Sequence, residues 1–295
     1  MPPDRLEPVT EKTSAADREG TQRQPPYDRR RLSYANTFPD PVKANVIRTL
    51  EWLTGKLTLL RLIRRFERSG ILPGQAFWGD ALRHMGIEVR TPAEQIARIP
   101  RDGPLVVVAN HPHGLIDGIV LAELVGRVRT DYKILTRSLL TGVRILDPFT
   151  IPVPFPHEPD AQKRGLAMRA EAMAHLAGGG AIVLFPSGSV AASARPFGPA
   201  VEAEWNPFTA KLVQRSGAAV LPIYFPGQNS RWYQLANQVS PTLRQGLLIH
   251  EVVNARNRPQ APVVGHPILP EEIARWRDRP RDFVRWLRET TLALG

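Results

Sequence analysis

One stretch constrains the fold more than any other: Val106-Val107-Val108-Ala109-Asn110-His111-Pro112-His113-Gly114-Leu115-Ile116-Asp117-Gly118. Its first half, apolar and β-branched, reads as a buried strand. The strand stops at a turn that presents two imidazoles, followed by a carboxylate and a glycine. A polar cluster at the end of a buried strand is where α/β proteins place their chemistry. A histidine with an aspartate nearby is equipped as a general base, the aspartate fixing the tautomer and stabilising the imidazolium.

The chain has 295 residues, enough for one α/β domain with appendages. It has no cysteine, which removes disulfides, thiolate metal sites and a cysteine nucleophile from consideration. A net charge of +11 favours polyanionic partners: nucleic acid, an anionic membrane surface or phosphorylated cofactors. No run approaches the ~18 apolar residues of a transmembrane helix. Met1-Pro2-Pro3-Asp4-Arg5 lacks the apolar core of a signal peptide. The expected location is therefore cytoplasmic.

Residues 1–38 are polar and poor in aliphatic clusters, and read as a disordered tail in which Arg29-Arg30-Arg31 is a solvated charge run. Residues 39–85 read as an amphipathic helical pair. Val46, Leu50, Leu53, Leu57, Leu60 and Ile63 recur at helical steps between Pro41 and Phe66, with Arg48, Lys56, Arg61, Arg64 and Arg65 interleaved. A second helix near Gln75–His84 carries Phe77, Trp78 and Leu82. The pair fits packing on a domain, contact with an anionic membrane surface, or both.

From residue 86 to 295 strands and helices alternate. Strands are expected near 104–109, 133–136, 149–153, 181–185, 219–225 and 261–265. Helices are expected near 115–127, 163–177, 207–216 and 281–293. The alternation predicts an α/β fold, a mostly parallel sheet covered by helices. The last helical region, with Trp276, Trp286 and the arginines Arg275, Arg277, Arg281, Arg285 and Arg288, reads as a second basic-aromatic surface.

Three readings of the two histidines compete. They could merely shape a turn. They could bind zinc, as His-x-His at a strand end does. The metallo-hydrolase pattern His-x-His-x-Asp-His then fails, because Leu115 and Ile116 stand where Asp and His belong. Further ligands would have to come from His250 or His266, neither in an acidic cluster. The third reading is general-base catalysis.

Here the segment resembles the first block of the glycerolipid acyltransferase superfamily, in which a His and a following Asp form the catalytic pair. The usual spacing leaves four residues between them; His111 and Asp117 have five. That longer spacing resembles a bacterial, hemolysin-like branch that includes lyso-ornithine-lipid acyltransferases. The bare His-Pro-His-Gly is also similar to a diacylglycerol acyltransferase motif, though the rest of the chain follows that family poorly. Ile182-Val183-Leu184-Phe185-Pro186-Ser187-Gly188-Ser189 resembles the third block, Phe-Pro-Glu-Gly-Thr. Val220-Leu221-Pro222-Ile223-Tyr224-Phe225 resembles the fourth.

The resemblance implies that His111 is the base and Asp117 its partner. Asn110, Gly114, Phe185, Pro186, Ser187, Gly188, Ser189, Pro222 and Arg137 are then expected to bind substrate. It implies an acyl-CoA or acyl-carrier-protein donor, a lysolipid acceptor, an anionic membrane surface as partner, and neither a metal nor a resident cofactor. Backbone donors beside Gly114 or Gly188 are expected to stabilise the oxyanion. No nucleic-acid module is recognisable. The enzyme would sit at the cytoplasmic face of the inner membrane.

Two departures stand out. Ser187 replaces the third-block Glu, and the second block, around Phe149–Phe155, lacks an Arg. An anionic acceptor would need other cations, among them Arg137, Arg144, Lys163, Arg164 or Arg195. The rival classes are a metal-dependent hydrolase and a non-catalytic basic protein that binds lipid or nucleic acid.

Overall fold

The computed structural model describes residues 33–137, 146–155, 158 and 160–295. The remaining residues, including Arg29-Arg30-Arg31 and Arg144, lie outside this description.

Helices α1 (Pro41–Glu51) and α2 (Leu57–Arg68) meet at a π-type turn over Trp52–Lys56. They are followed by α3 (Ala76–Met85) and a single turn, α4 (Ala93–Ile96). The sheet opens with β1 (Leu105–Ala109), then α5 (Leu115–Gly126) and β2 (Tyr132–Arg137). After β3 (Thr150–Val153) come α6 (Ala161–Ala177) and β4 (Ala181–Leu184). A hairpin of β5 (Ala192–Ser193) and β6 (Ala200–Val201) precedes α7 (Phe208–Ser216) and β7 (Ala219–Tyr224). Three short helices follow, α8 (Arg231–Val239), α9 (Pro241–Gly246) and α10 (Leu248–Asn254). The chain closes with β8 (Val263–Val264), α11 (Pro270–Ala274) and α12 (Pro280–Leu292).

The sheet order is β3-β2-β4-β1-β7-β8, parallel except where β8 runs against β7. All five residues of β1 are buried, because the sheet is covered on both faces. Leu105, Val107 and Ala109 join one core with Leu121 and Leu124 of α5 and Trp78 and Leu82 of α3. Val106 and Val108 join the other with Leu176 of α6, Leu212 of α7 and Phe283 of α12. Each buried valine contributes roughly 1.5–3 kcal/mol. Since β4 and β7 flank β1 in parallel, the loops that leave these three strands emerge side by side. That placement makes the site.

The structure revises several expectations. The helix expected to run from Pro41 to Phe66 is kinked at Gly55, where α10 packs closely. A Cβ there would meet Val253 Cγ2 at 3.3 Å and His250 Cα at 3.4 Å. The imidazole Nδ1 of His250 lies 3.0 Å from the Thr54 carbonyl. That takes up a group exposed by the kink.

Ser33, Tyr34, Ala35 and Phe38, expected within the tail, are packed instead. The buried Glu51 carboxylate accepts from Ser33 Oγ (2.6 Å) and the Tyr34 N–H (2.8 Å) and pairs with buried Lys56 (3.2 Å). The division at residue 85 is not a structural boundary either, since Trp78, Leu82 and Met85 belong to the same core as β1. Helices α8 to α10 were not anticipated. Trp276 and Trp286 stack on each other at 5.4 Å and pack against the second core, with the Arg275 guanidinium over both rings. The two tryptophans are thus tied to the core, while Arg275, Arg277, Arg281 and Arg285 stay exposed.

Candidate active site

The chain turns out of β1 at Asn110, whose amide is spent on structure. Asn110 Nδ2 donates to the Phe225 carbonyl (2.8 Å), and the Phe225 N–H donates to Asn110 Oδ1 (2.6 Å). The clamp ties the ends of β1 and β7 together and fixes where His111 begins. Asn110 therefore positions the site and does not line it.

Asp117 is the third residue of α5, with Gly114 as the N-cap. An acidic residue there reaches back to free N–H groups at the helix start, where the dipole also favours negative charge. Asp117 Oδ2 accepts from the backbone N–H of Gly114 (3.0 Å) and of His113 (2.8 Å). The same carboxylate meets both rings: His111 Nδ1 lies 3.0 Å from Oδ2 and His113 Nδ1 3.0 Å from Oδ1. Asp117 is fully buried, while the two histidines keep an edge exposed.

Burial alone would push the Asp117 carboxyl up. The His113 charge and the hydrogen bonds from both rings outweigh it, and the group is held below its ordinary value. For His113 burial opposes the charge, yet the Asp117 carboxylate, its hydrogen bond and the more distant Glu251 raise the imidazole above its ordinary value. His113 is thus as close a partner of Asp117 as His111 is. With Nδ1 turned to Asp117, the His111 ring presents Nε2 as its remaining proton site. The ring stacks on Phe185 from the β4 loop, centroids 4.0 Å apart.

A second buried carboxylate supports the loop from beneath. Glu202, after β6, accepts from the His111 N–H (3.1 Å) and from Trp205 Nε1 (3.1 Å), with the Ser187 hydroxyl also in reach. Burial pushes its carboxyl up, and those hydrogen bonds only partly offset it. Glu202 lies 91 residues from His111 and has no local sequence signature.

Beside His111 opens a cavity of about 740 Å³. Of the expected site residues, His111, Gly114, Phe185, Pro186, Ser187, Gly188, Ser189 and Arg137 line it. Asp117 stands behind His111. Pro222 does not reach the cavity: it lies in β7 beside Val108, with its ring against Gly265. Trp78, Leu115, Gly118 and Ile134 form an apolar wall.

Among the described residues three arginines line the cavity. Arg137 lies over the Phe155 ring at 5.1 Å, and burial lowers its pKa. Arg169 lies over Phe208, and Arg244 donates to Asn237. The sequence pointed only to Arg137. Arg169 is one of several arginines on a helix, and Arg244 falls where no helix was read. Of the other cations considered, Arg164 is paired with Glu158, Lys163 is exposed on α6, and Arg195 belongs to the hairpin.

Of the backbone donors around the expected oxyanion positions, the glycines' own amides are engaged, the Gly114 N–H by Asp117 and the Gly188 N–H by the Phe185 carbonyl (2.9 Å). Asp117 takes the Nδ1 of both histidines, which leaves each ring only Nε2 for any other ligand. His250 bonds Thr54 and His266 is exposed, away from the pair. Among the described residues no three His, Asp or Glu side chains gather as a cation site.

The curated relatives carry the name lyso-glycine lipid O-acyltransferase. The protein from Phocaeicola vulgatus is 26% identical over 190 residues, covering 62% of this chain and 65% of that one. The protein from Bacteroides thetaiotaomicron is 29% identical over 154 residues, covering 51% and 54%. The chain thus spans between about half and just under two thirds of the curated relatives it matches. The crystal structure of the 1-acyl-sn-glycerophosphate acyltransferase PlsC from Thermotoga maritima aligns over 87% of this chain and 85% of that one, at 16% identity and a TM-score of 0.43. The family model described as Acyltransferase matches residues 49–255, from the π-type turn region through α10. The chain belongs to the acyltransferase family.

Proposed function

We propose that the protein moves a fatty acyl group from a thioester donor, acyl-CoA or acyl-carrier protein, to the hydroxyl of a membrane lysolipid. The observation that carries the reading is the His111–Asp117 pair at 3.0 Å on the rim of a cavity with an apolar wall and guanidiniums. His111 Nε2 takes the hydroxyl proton as the oxygen attacks the thioester carbonyl. The C–S bond then breaks and the sulfur leaves as a thiol, protonated by His111. Asp117 holds the imidazole in the needed tautomer and stabilises its charged form. The thioester is already activated, so neither a covalent acyl-enzyme nor a resident cofactor is required.

With the Gly114 and Gly188 amides engaged, the positive end of α5, where Leu115 lines the cavity, is the source of oxyanion stabilisation in this reading. Arg137 fits an anionic or zwitterionic headgroup. The names of the curated relatives favour a lyso-glycine or related amino-acid lipid over lysophosphatidic acid. The enzyme then works peripherally at the cytoplasmic face of the inner membrane. Among the described residues no helix is long and apolar enough to cross a membrane.

The test is acyl transfer by wild type and His111→Ala to a panel of lyso-glycine lipid, lyso-ornithine lipid and lysophosphatidic acid, with each donor. A folded His111→Ala protein should lose about 10²–10⁴-fold in turnover. Near-wild-type turnover by that variant would sink the assignment.

A further inference from the structure

The tip of the β5–β6 hairpin, Arg195-Pro196-Phe197-Gly198-Pro199, presents Phe197 with 72% of its surface exposed. Its backbone is left-handed, at φ 61°. A bulky aromatic in that region is a steric outlier, which makes an exposed one a candidate for function. Val201, on β6, is also exposed.

The hairpin is bonded to α8. The Ser193 N–H donates to Gln234 Oε1 (2.7 Å), while Asn237 Nδ2 (2.9 Å) and Gln238 Nε2 (2.6 Å) donate to the Ser193 carbonyl. Helix α8 buries Tyr233 and Gln234 and leaves Trp232 (70%) and Val239 (75%) in solvent. These two lie seven residues apart, two helical turns, and so share a side. Exposed large side chains clustered on touching elements mark an interaction surface.

Charge indicates the partner. From residue 205 to 250 there is no Asp or Glu, while Arg231 and Arg244 lie within that run and Arg195 on the hairpin. The face also adjoins the cavity. Val190, just before the hairpin, and Tyr233 and Arg244, from α8 and α9, line it. Exposed aromatics among arginines, with few carboxylates nearby, match an anionic lipid interface: rings at headgroup level, guanidiniums on phosphates.

We infer that the hairpin tip and the outer edge of α8 form a lipid-docking face, distinct from the α1–α2 pair, that seats this side of the cavity on an anionic bilayer. Its service to catalysis rests on the acyl-transfer reading; the docking itself does not.

Because the chain has no cysteine, Phe197→Cys and Trp232→Cys each create a single labelling site. The full-length variants, labelled with an environment-sensitive nitrobenzoxadiazole dye, are mixed with vesicles of phosphatidylcholine alone or with about 30% phosphatidylglycerol. The dye should shift to the blue and brighten on the anionic vesicles, weakly on the neutral ones, and salt should reverse the change. A dye that stays in water while the protein sediments with anionic vesicles overturns the inference. So does a response only to an acidic carrier protein, or only to rising protein concentration, which would mean a second copy.

The double variant Phe197→Ser/Trp232→Ser should lose about tenfold in vesicle binding. It should keep wild-type turnover on lysolipid dispersed in detergent micelles. Wild type that docks but transfers no acyl group to any lysolipid defeats the proposed function and leaves the face standing. Wild type that transfers while both labels remain in water does the reverse.

Discussion

The loops that leave β1 and β4 face each other across His111, and they are built on different terms. The β1 loop is wired to one atom group: two imidazoles and two backbone N–H groups converge on the buried Asp117 carboxylate. Asn110 and Glu202 brace its start. The β4 loop spreads its bonds over several partners instead: the Gly188 N–H meets the Phe185 carbonyl and the Asn206 N–H the Pro186 carbonyl, both at 2.9 Å, the Ser187 hydroxyl meets the Ser189 carbonyl at 2.9 Å, and the Phe185 ring stacks on His111. The first loop gathers its bonds on one buried carboxylate; the second lends its residues from Phe185 to Val190 to the cavity wall. Under the proposed function this gives a division in which the β1 loop sets the rate and the β4 loop, with its neighbour Arg137, sets what is bound.

The sharpest way to break that division is at Asp117. Asp117→Asn keeps the shape but turns a double acceptor into a mixed donor and acceptor, so one ring nitrogen or backbone N–H loses its partner. Turnover should fall by about 10²–10⁴-fold with KM little changed. Asp117→Ala leaves two rings and two amides facing a void, and should cost about 3–5 kcal/mol of stability as well. Chemical denaturation beside steady-state kinetics reads both. A wild-type kcat in Asp117→Asn would mean that the pair is structural.

His113 comes next. Its ring bonds the other oxygen of Asp117 and does not need to touch substrate to matter. His113→Gln should cost about tenfold in kcat, the scale of one lost hydrogen bond to a charged group. The pair also gives the loop a pH signature. The folded His113 pKa is raised, so its contribution to stability is complete below the ordinary value of 6.5 and is lost as pH rises through the raised one. The Asp117 pKa is lowered, so its contribution is complete above the ordinary 3.8 and is lost as pH falls through the depressed one. Thermal melts of wild type minus His113→Gln should therefore show the largest difference between these limits. A difference that grows toward alkaline pH would contradict the ion pair.

The β1 loop was also the more legible of the two in the sequence. Apolar runs fixed the positions of the strands, since three valines between polar turns have few other uses, and the residues around His111 carried the chemistry. What was not legible depends on angle and distance. The sequence points to backbone donors beside Gly114 and Gly188, but only the turn geometry shows that the amides of these two glycines are themselves engaged. Glu202 reaches His111 from a distant hairpin, so no spacing could have named it. Helices α9 and α10 are too short to establish a helical period, whereas α8 is as long as α7; Ser230 and Ser240 cap α8 and α9, and Pro241 opens α9. Those caps were readable signals that went unread, and with them went Tyr233 and Arg244 as cavity residues.

On the binding side, Arg137 should give the larger effect. Its guanidinium rests on Phe155 at the cavity and reaches toward Gly188, where a Cβ would lie 3.8 Å from its Nη2. Arg137→Ala should raise KM for an anionic or zwitterionic acceptor by about tenfold, the worth of one charge-assisted hydrogen bond, with kcat within about threefold. A fall in kcat with unchanged KM would move Arg137 to the rate-setting side and erase the division between the loops.

The smallest expected effect is at Ser187, and it is the most discriminating. The hydroxyl lies in reach of both the Ser189 carbonyl and the Glu202 carboxylate, and neither bond touches Asp117. If the β4 loop only shapes the cavity wall, Ser187→Ala should change KM by less than about threefold and leave kcat alone, as losing one half-exposed hydrogen bond does. If Ser187 is instead the link through which Glu202 steadies His111, kcat will fall and the fall will deepen at low pH. Glu202 is already pushed up by burial, and without the serine hydroxyl its carboxyl rises further. A pH profile of kcat for Ser187→Ala, set beside Glu202→Gln, separates the cases. Parallel losses in the two variants join the loops into one device, and a flat Ser187→Ala profile keeps them apart.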